Sequence, residues 1–122
     1  MRSVRSILIV DDDEDVRTTL VDALRFEGFA VESARDGREG LAWLRGHQET
    51  PWVVLLDLMM PVMNGRAFLE VRASEPALAA IPVIVLTAGG DCRELKAAGY
   101  IEHCLPKTTS LQEIVATIEA CG

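Results

Sequence analysis

Residues 52–57 read Trp52-Val53-Val54-Leu55-Leu56-Asp57, an unbroken apolar run closed by a carboxylate. A strand that is apolar on consecutive residues must be covered on both faces, as strands of a parallel sheet are. Working outward, comparable runs stand at Ile7–Val10 and Ile81–Leu86, a weaker one around Phe29–Val31, and a poor one at Tyr100–Leu105. Helical patterns separate them. Val16, Leu20, Ala23 and Leu24 share a helix face, and Glu27-Gly28 stops that helix. Leu41 and Leu44 follow Gly37 and Gly40, and Ala67, Phe68 and Val71 follow Gly65. In the last helix Ser110 caps, Glu113 completes a capping box, and Leu111, Ile114, Val115 and Ile118 form the stripe. Five strands and five helices in strict alternation predict an α/β fold, a (βα)5 doubly wound parallel sheet with helices on both faces.

The chain has 122 residues, 49% of them hydrophobic and 25% charged, which suits one globular domain over residues 1–122. No apolar run approaches the roughly 20 residues of a membrane span. Arg2 and Arg5 lead only into Ile7–Val10 before a block of acid, so no secretory signal is expected and a cytoplasmic location is. A net charge of −7, from 12 basic and 19 acidic residues, argues against direct nucleic-acid binding. Cys92, Cys104 and Cys121 are odd in number and irregular in spacing. They are expected as separate thiols, neither a disulfide framework nor a zinc site.

In open α/β sheets ligands bind beyond the carboxyl ends of the strands. There the first run ends in Asp11-Asp12, the third in Asp57, the fourth in Thr87 and the fifth, through Pro106, in Lys107; the second offers only Ser33-Ala34. Asp13, Glu14 and Asp15 are accounted for by a helix start, where an N-cap and acid in the first turn are favourable. Asp11 and Asp12 are not, and they approach Asp57. Clustered carboxylates repel unless protonated or bridged, and a hard divalent cation, Mg2+ or Mn2+, is the economical bridge. An EF-hand spacing at Asp11, Asp13 and Asp15 fails, because Val16 occupies the position that demands Gly. A carboxylate beside a metal can act as a nucleophile and form an acyl phosphate, which points to Asp57. Lys107, one of only two lysines beside ten arginines, offers a point charge for a phosphoryl oxygen, and Thr87 a hydroxyl donor.

Asp11-Asp12 after a β-run, Asp57 with Met60-Pro61-x-Met63-x-Gly65, Leu86-Thr87-Ala88 and Pro106-Lys107 together resemble the receiver domain of bacterial two-component response regulators, of the chemotaxis-regulator type. The resemblance covers the whole chain. It implies the strand order 2-1-3-4-5 and names Asp57 as phosphoacceptor, Asp12 as direct Mg2+ ligand, and Asp11 as a ligand through water. The Met59 backbone carbonyl completes the protein ligands, Thr87 is the switch hydroxyl, and Lys107 contacts phosphate. The implied partners are a sensor histidine kinase or phosphotransfer protein and a downstream protein target. The implied catalysis is confined to the chain's own phosphorylation and dephosphorylation, read out on the fourth helix, fifth strand and fifth helix.

Several positions depart from that family's pattern. Thr108 and Thr109 follow the lysine where Pro and an aromatic are usual, so Pro106 carries the peptide bond with a choice of isomer. The strand-5 aromatic falls on Cys104, with His103 and Tyr100 nearby. Gly89-Gly90 and the short stretch to Gly99 predict a stunted fourth helix, and Gly89 leaves Met59 as the shield of the phosphoryl group. Two other readings stay open: a docking module of the same fold that is not phosphorylated, and a haloacid-dehalogenase-type phosphatase using Asp11-x-Asp13.

Overall fold

Leu8 and Val10 leave the first strand toward one face of the sheet, and Ile7 and Ile9 toward the other. Every one of the four is essentially inaccessible to solvent. The computed structural model describes residues 6–47, 53–58, 63–88 and 92–121. Five parallel strands, β1 (Ser6–Val10), β2 (Ala30–Ala34), β3 (Val53–Asp57), β4 (Val83–Thr87) and β5 (His103–Pro106), lie in the order β2-β1-β3-β4-β5. The doubly wound architecture expected from the apolar runs is therefore present. β3 and β4 are buried along their whole length, as their continuous apolar sequences require. The weaker second run is an edge strand in which only Val31 and Ala34 are buried.

Helices α1 (Glu14–Phe26) and α6 (Leu111–Cys121) cover one face, packing Leu24, Ile114 and Ile118 on Ile9, Leu55 and Ile84. The other face carries α2 (Gly37–Gly46), α3 (Gly65–Ser74), α4 (Pro76–Ala79) and α5 (Arg93–Ala97), through Leu44, Phe68, Leu78 and Leu95. α4 corrects the expectation of five helices. It is a single turn begun by proline at its first position, too short to show any periodicity. The stunted fourth helix of the sequence is α5, of 5 residues.

The two N-cap bonds form. Asp13 Oδ1 accepts from Val16 N at 3.1 Å, and Ser110 Oγ accepts from Glu113 N at 3.2 Å. Gly28 ends α1 at φ +99°, a conformation that favours glycine. All described peptide bonds are trans, that of Pro106 included.

Two further findings were not expected. Cys92 and Cys104 are bonded to each other, so the reading of three separate thiols holds only for Cys121. Spacing along the chain does not reveal that the residue before α5 and a residue of β5 come to a Cα separation of 6.4 Å. Arg72, on α3, is buried, with only 6% of its surface exposed. Its guanidinium donates to the carbonyls of Ala79, Ile81 and Tyr100, joining α3, the end of α4 and the approach to β5. Burial lowers the Arg72 pKa, and the charge of Glu102 opposes that shift.

Candidate functional site

β1, β3 and β5 place their acidic and basic ends at one edge of the sheet. β1 runs out at Asp11, whose amide still donates to Ala34 O at 3.1 Å, holding this residue in line with the sheet. Asp11 Oδ1 accepts from Asp13 N at 2.9 Å, and Arg17 donates to the Asp11 carbonyl at 2.9 Å. These bonds turn the chain from β1 into α1 and fix the Asp11 carboxylate. The Asp13 side chain itself caps α1 through Val16 N.

Asp57 closes β3, the central strand, where Asp57 pairs with Leu86 of β4. Beyond it the chain passes close under the start of α3. Gly65 N donates to Leu58 O at 3.0 Å, and a Cβ built on Gly65 would stand 2.7 Å from Leu58 Cα and 3.0 Å from Asp57 O. Glycine is required there by contact. Asn64, the α3 N-cap, accepts from Ala67 N at 2.9 Å and starts the helix directly after that approach.

Carboxylate oxygens of Asp11, Asp12 and Asp57 all lie within 4.8 Å of one another. Asp11 and Asp57 are buried, at 3% and 4% exposure, whereas Asp12 is exposed and forms the rim. From the opposite side Lys107 Nζ reaches Asp11 Oδ2 at 3.1 Å and Asp57 Oδ2 at 3.3 Å. Burial works to lower the Lys107 pKa, but the hydrogen bonds and charges of Asp11 and Asp57 outweigh it and hold the ammonium above its ordinary value. Two buried carboxylates side by side are costly, and a partly buried cation between them offsets part of that cost.

Thr87 ends β4 opposite Pro106 and is buried. Lys107 N donates to Thr87 O at 3.0 Å, so the backbones of the two residues are tied at the ends of β4 and β5. The structure thus brings Asp11, Asp12, Asp57 and Lys107 together and sets Thr87 beside them. Met59, Met60, Pro61 and Gly89 lie outside the described residues. Arg17 is a positioning residue that sequence reasoning missed. Its signal, a basic residue among the acids of a helix start, is too common to single out.

The arrangement can hold a cation on hard oxygen donors and meet new negative charge with an ammonium. No helix among the described residues is long and apolar enough to cross a membrane.

Comparison with known proteins identifies the family. The family model described as "Response regulator receiver domain" matches residues 7–119. The response regulator MprA of Mycolicibacterium vanbaalenii is 41% identical over 118 residues, covering 93% of this chain and 48% of the relative. A CpxR homologue of Haemophilus influenzae, described as a transcriptional regulatory protein, is 38% identical over 116 residues, with the same shares. The chain spans about half the length of these relatives. Among solved structures, chemotaxis protein CheY4 of Vibrio cholerae superposes with a TM-score of 0.87 at 24% identity, over 98% of this chain and 100% of that one. TrrA of Thermotoga maritima, solved in complex with Mg(2+)-BeF, gives 0.85 at 23% identity over the same shares. The N-terminal domain of a receiver protein from Methanoculleus marisnigri gives 0.78 at 34% identity, over 97% of this chain and 96% of that one.

Proposed function

Since this chain belongs to the response regulator receiver domain family, the phosphoacceptor module of two-component systems, we propose that Asp57 is the side chain that accepts the phosphoryl group. One observation carries the assignment: of the two buried acids that share the cluster and the lysine, Asp57 ends the central strand, whereas Asp11 Oδ1 is already engaged by Asp13 N. The donor is a phosphohistidine of a sensor histidine kinase or phosphotransfer protein, or a small acyl phosphate. An Asp57 oxygen forms the new bond to phosphorus as the donor's P–N or P–O bond breaks. Water later cleaves the aspartyl phosphate and returns the carboxylate.

Asp11, Asp12 and Asp57 supply hard oxygen donors and fit Mg2+ or Mn2+, with the Met59 backbone carbonyl as the remaining protein ligand. The Mg(2+)-BeF complex of TrrA supports that choice of ion. When bound, such an ion neutralises charge on the phosphoryl oxygens. Lys107 then has a stronger partner than the two carboxylates it now bridges, and the Thr87 hydroxyl donates to a further phosphoryl oxygen. Phosphorylation adds about −1.5 to −2 charges, and both residues are drawn toward it. Because Lys107 N and Thr87 O are bonded, the ends of β4 and β5 respond together, and a protein target reads the change on α5, β5 and α6. The chain acts on its own modification and turns over no separate substrate. Its net charge of −7 gives it no direct hold on nucleic acid, and it works in the cytoplasm.

Acetyl phosphate with Mg2+, followed by intact mass, tests the assignment. Wild type is expected to gain a single phosphoryl group that Asp57→Asn does not gain and that chelation of Mg2+ abolishes. Equal modification of Asp57→Asn overturns it by moving the acceptor to another residue, and no modification of the wild type overturns it in favour of a docking module.

A further inference from the structure

We propose that the Cys92–Cys104 pair is a thiol–disulfide exchange site that clamps α5 to β5 when oxidised and releases it when reduced. Cys92 immediately precedes α5, and Cys104 lies in β5 in register with Val85 of β4. The bridge therefore joins the two chain segments that lead away from Thr87 and toward Lys107.

α5 depends on this tie. Five residues are too few for a helix to persist unaided, and Leu95 is its one buried side chain. The Arg66–Glu94 pair that also reaches it is exposed on both sides and adds little. The third cysteine does not compete. Cys104 packs with the core on the α2–α5 face of the sheet, whereas Cys121 packs on the α1–α6 face. Burial, with a smaller contribution from the charge of Glu102, pushes the Cys121 thiol up, which makes it a poor nucleophile at neutral pH.

The sulfurs differ in access, Cys92 being buried and Cys104 half-buried. A dithiol reductant of the thioredoxin class attacks Cys104 Sγ, the bond between the two sulfurs breaks, and Cys92 leaves as a thiolate that takes up a proton. The reductant's second thiol resolves the mixed disulfide, freeing Cys104 as a thiol and leaving the reductant as a disulfide. Oxidation follows the reverse course with glutathione disulfide. In the cytoplasmic setting proposed above, disulfides are transient and regulatory, which favours a reversible pair over a permanent staple.

The clamp itself does not require the phosphoacceptor reading; only its consequence for signalling rests on it. The whole chain is equilibrated in glutathione buffers from reducing to oxidising, quenched in acid, and its thiols are alkylated after unfolding and counted by mass. One thiol is expected in the oxidised limit, Cys121, and three in the reduced limit, with full reversal. Three thiols in every buffer, or a bridge mapped to Cys121, overturns the proposal. Amide exchange over residues 93–97 is measured on both forms, and about tenfold faster exchange is expected on reduction. Cys104→Ser and Cys92→Ser should each exchange like the reduced form in every buffer, while Cys121→Ser should behave as wild type. Equal exchange in the two forms refutes the clamp. Phosphorylation of Asp57 under the same buffers is read separately, so a failure there counts against the phosphoacceptor and leaves the thiol result standing.

Discussion

The ammonium of Lys107 stands 3.3 Å from a carboxylate oxygen of Asp57 and occupies the position from which it can follow a phosphoryl group. In the resting chain it also keeps Asp57 and Asp11 from facing each other unscreened. Lys107→Ala should therefore cost about 1–3 kcal/mol of stability without divalent cations, discounted for the lysine's partial exposure. Added Mg2+ should recover more of that loss than it adds to wild type, because the variant has lost the competing cation. Urea unfolding with and without Mg2+ measures both, and an equal Mg2+ effect in the two proteins would contradict the expectation.

Gly65 meets the chain beyond Asp57 by backbone contact, so adding a methyl group there displaces either Leu58 or the start of α3. Gly65→Ala is expected to lose about 1–3 kcal/mol and to slow phosphorylation by acetyl phosphate. The slowing should persist at high acetyl phosphate concentration, which compensates weak donor binding but not a misplaced nucleophile. A variant with wild-type stability would show that the close approach is relaxed in solution.

Arg72 offers the sharpest stability test. Its guanidinium serves carbonyls from three parts of the chain, and Arg72→Met keeps volume while leaving those carbonyls without the donor. About 2–4 kcal/mol of stability should go. Arg72→Lys should recover less than half of it, since one ammonium cannot span carbonyls that a planar fork reaches together. Full recovery by lysine would show that charge, not geometry, is what matters there.

A pH-dependent contribution comes from Glu75, at the start of α4, and Arg45 of α2. The Arg45 hydrogen bond holds the Glu75 carboxyl below its ordinary range, and the same bond holds Arg45 above its own. A carboxyl lowered by folding stabilises the fold above its unfolded pKa of about 4.3 and ceases to as pH falls through the lower folded value. The stability difference between wild type and Glu75→Gln should thus vanish on acidification through that window, and shrink in high salt because the pair is exposed. A difference that persists at the lowest pH tolerated would contradict the assignment.

The sheet and most of the site were legible because burial on both faces leaves its mark as an unbroken run. A run that ends in Asp11, Asp57, Thr87 or Lys107 also shows where the polar group must go. Arg72 was not legible. In sequence it is one more charge on an amphipathic helix, and its burial follows from carbonyls at 79, 81 and 100 that only the folded chain gathers. The Cys92–Cys104 bond was hidden for the same reason, and α4 because one turn carries no period.

Because Lys107, and not Pro106, donates to Thr87 O, the nitrogen of residue 106 faces outward from the last strand of the sheet. A proline there has no hydrogen to offer a newcomer. The position that delivers the lysine thus also blunts that margin against the strand-to-strand accretion by which open sheets polymerise.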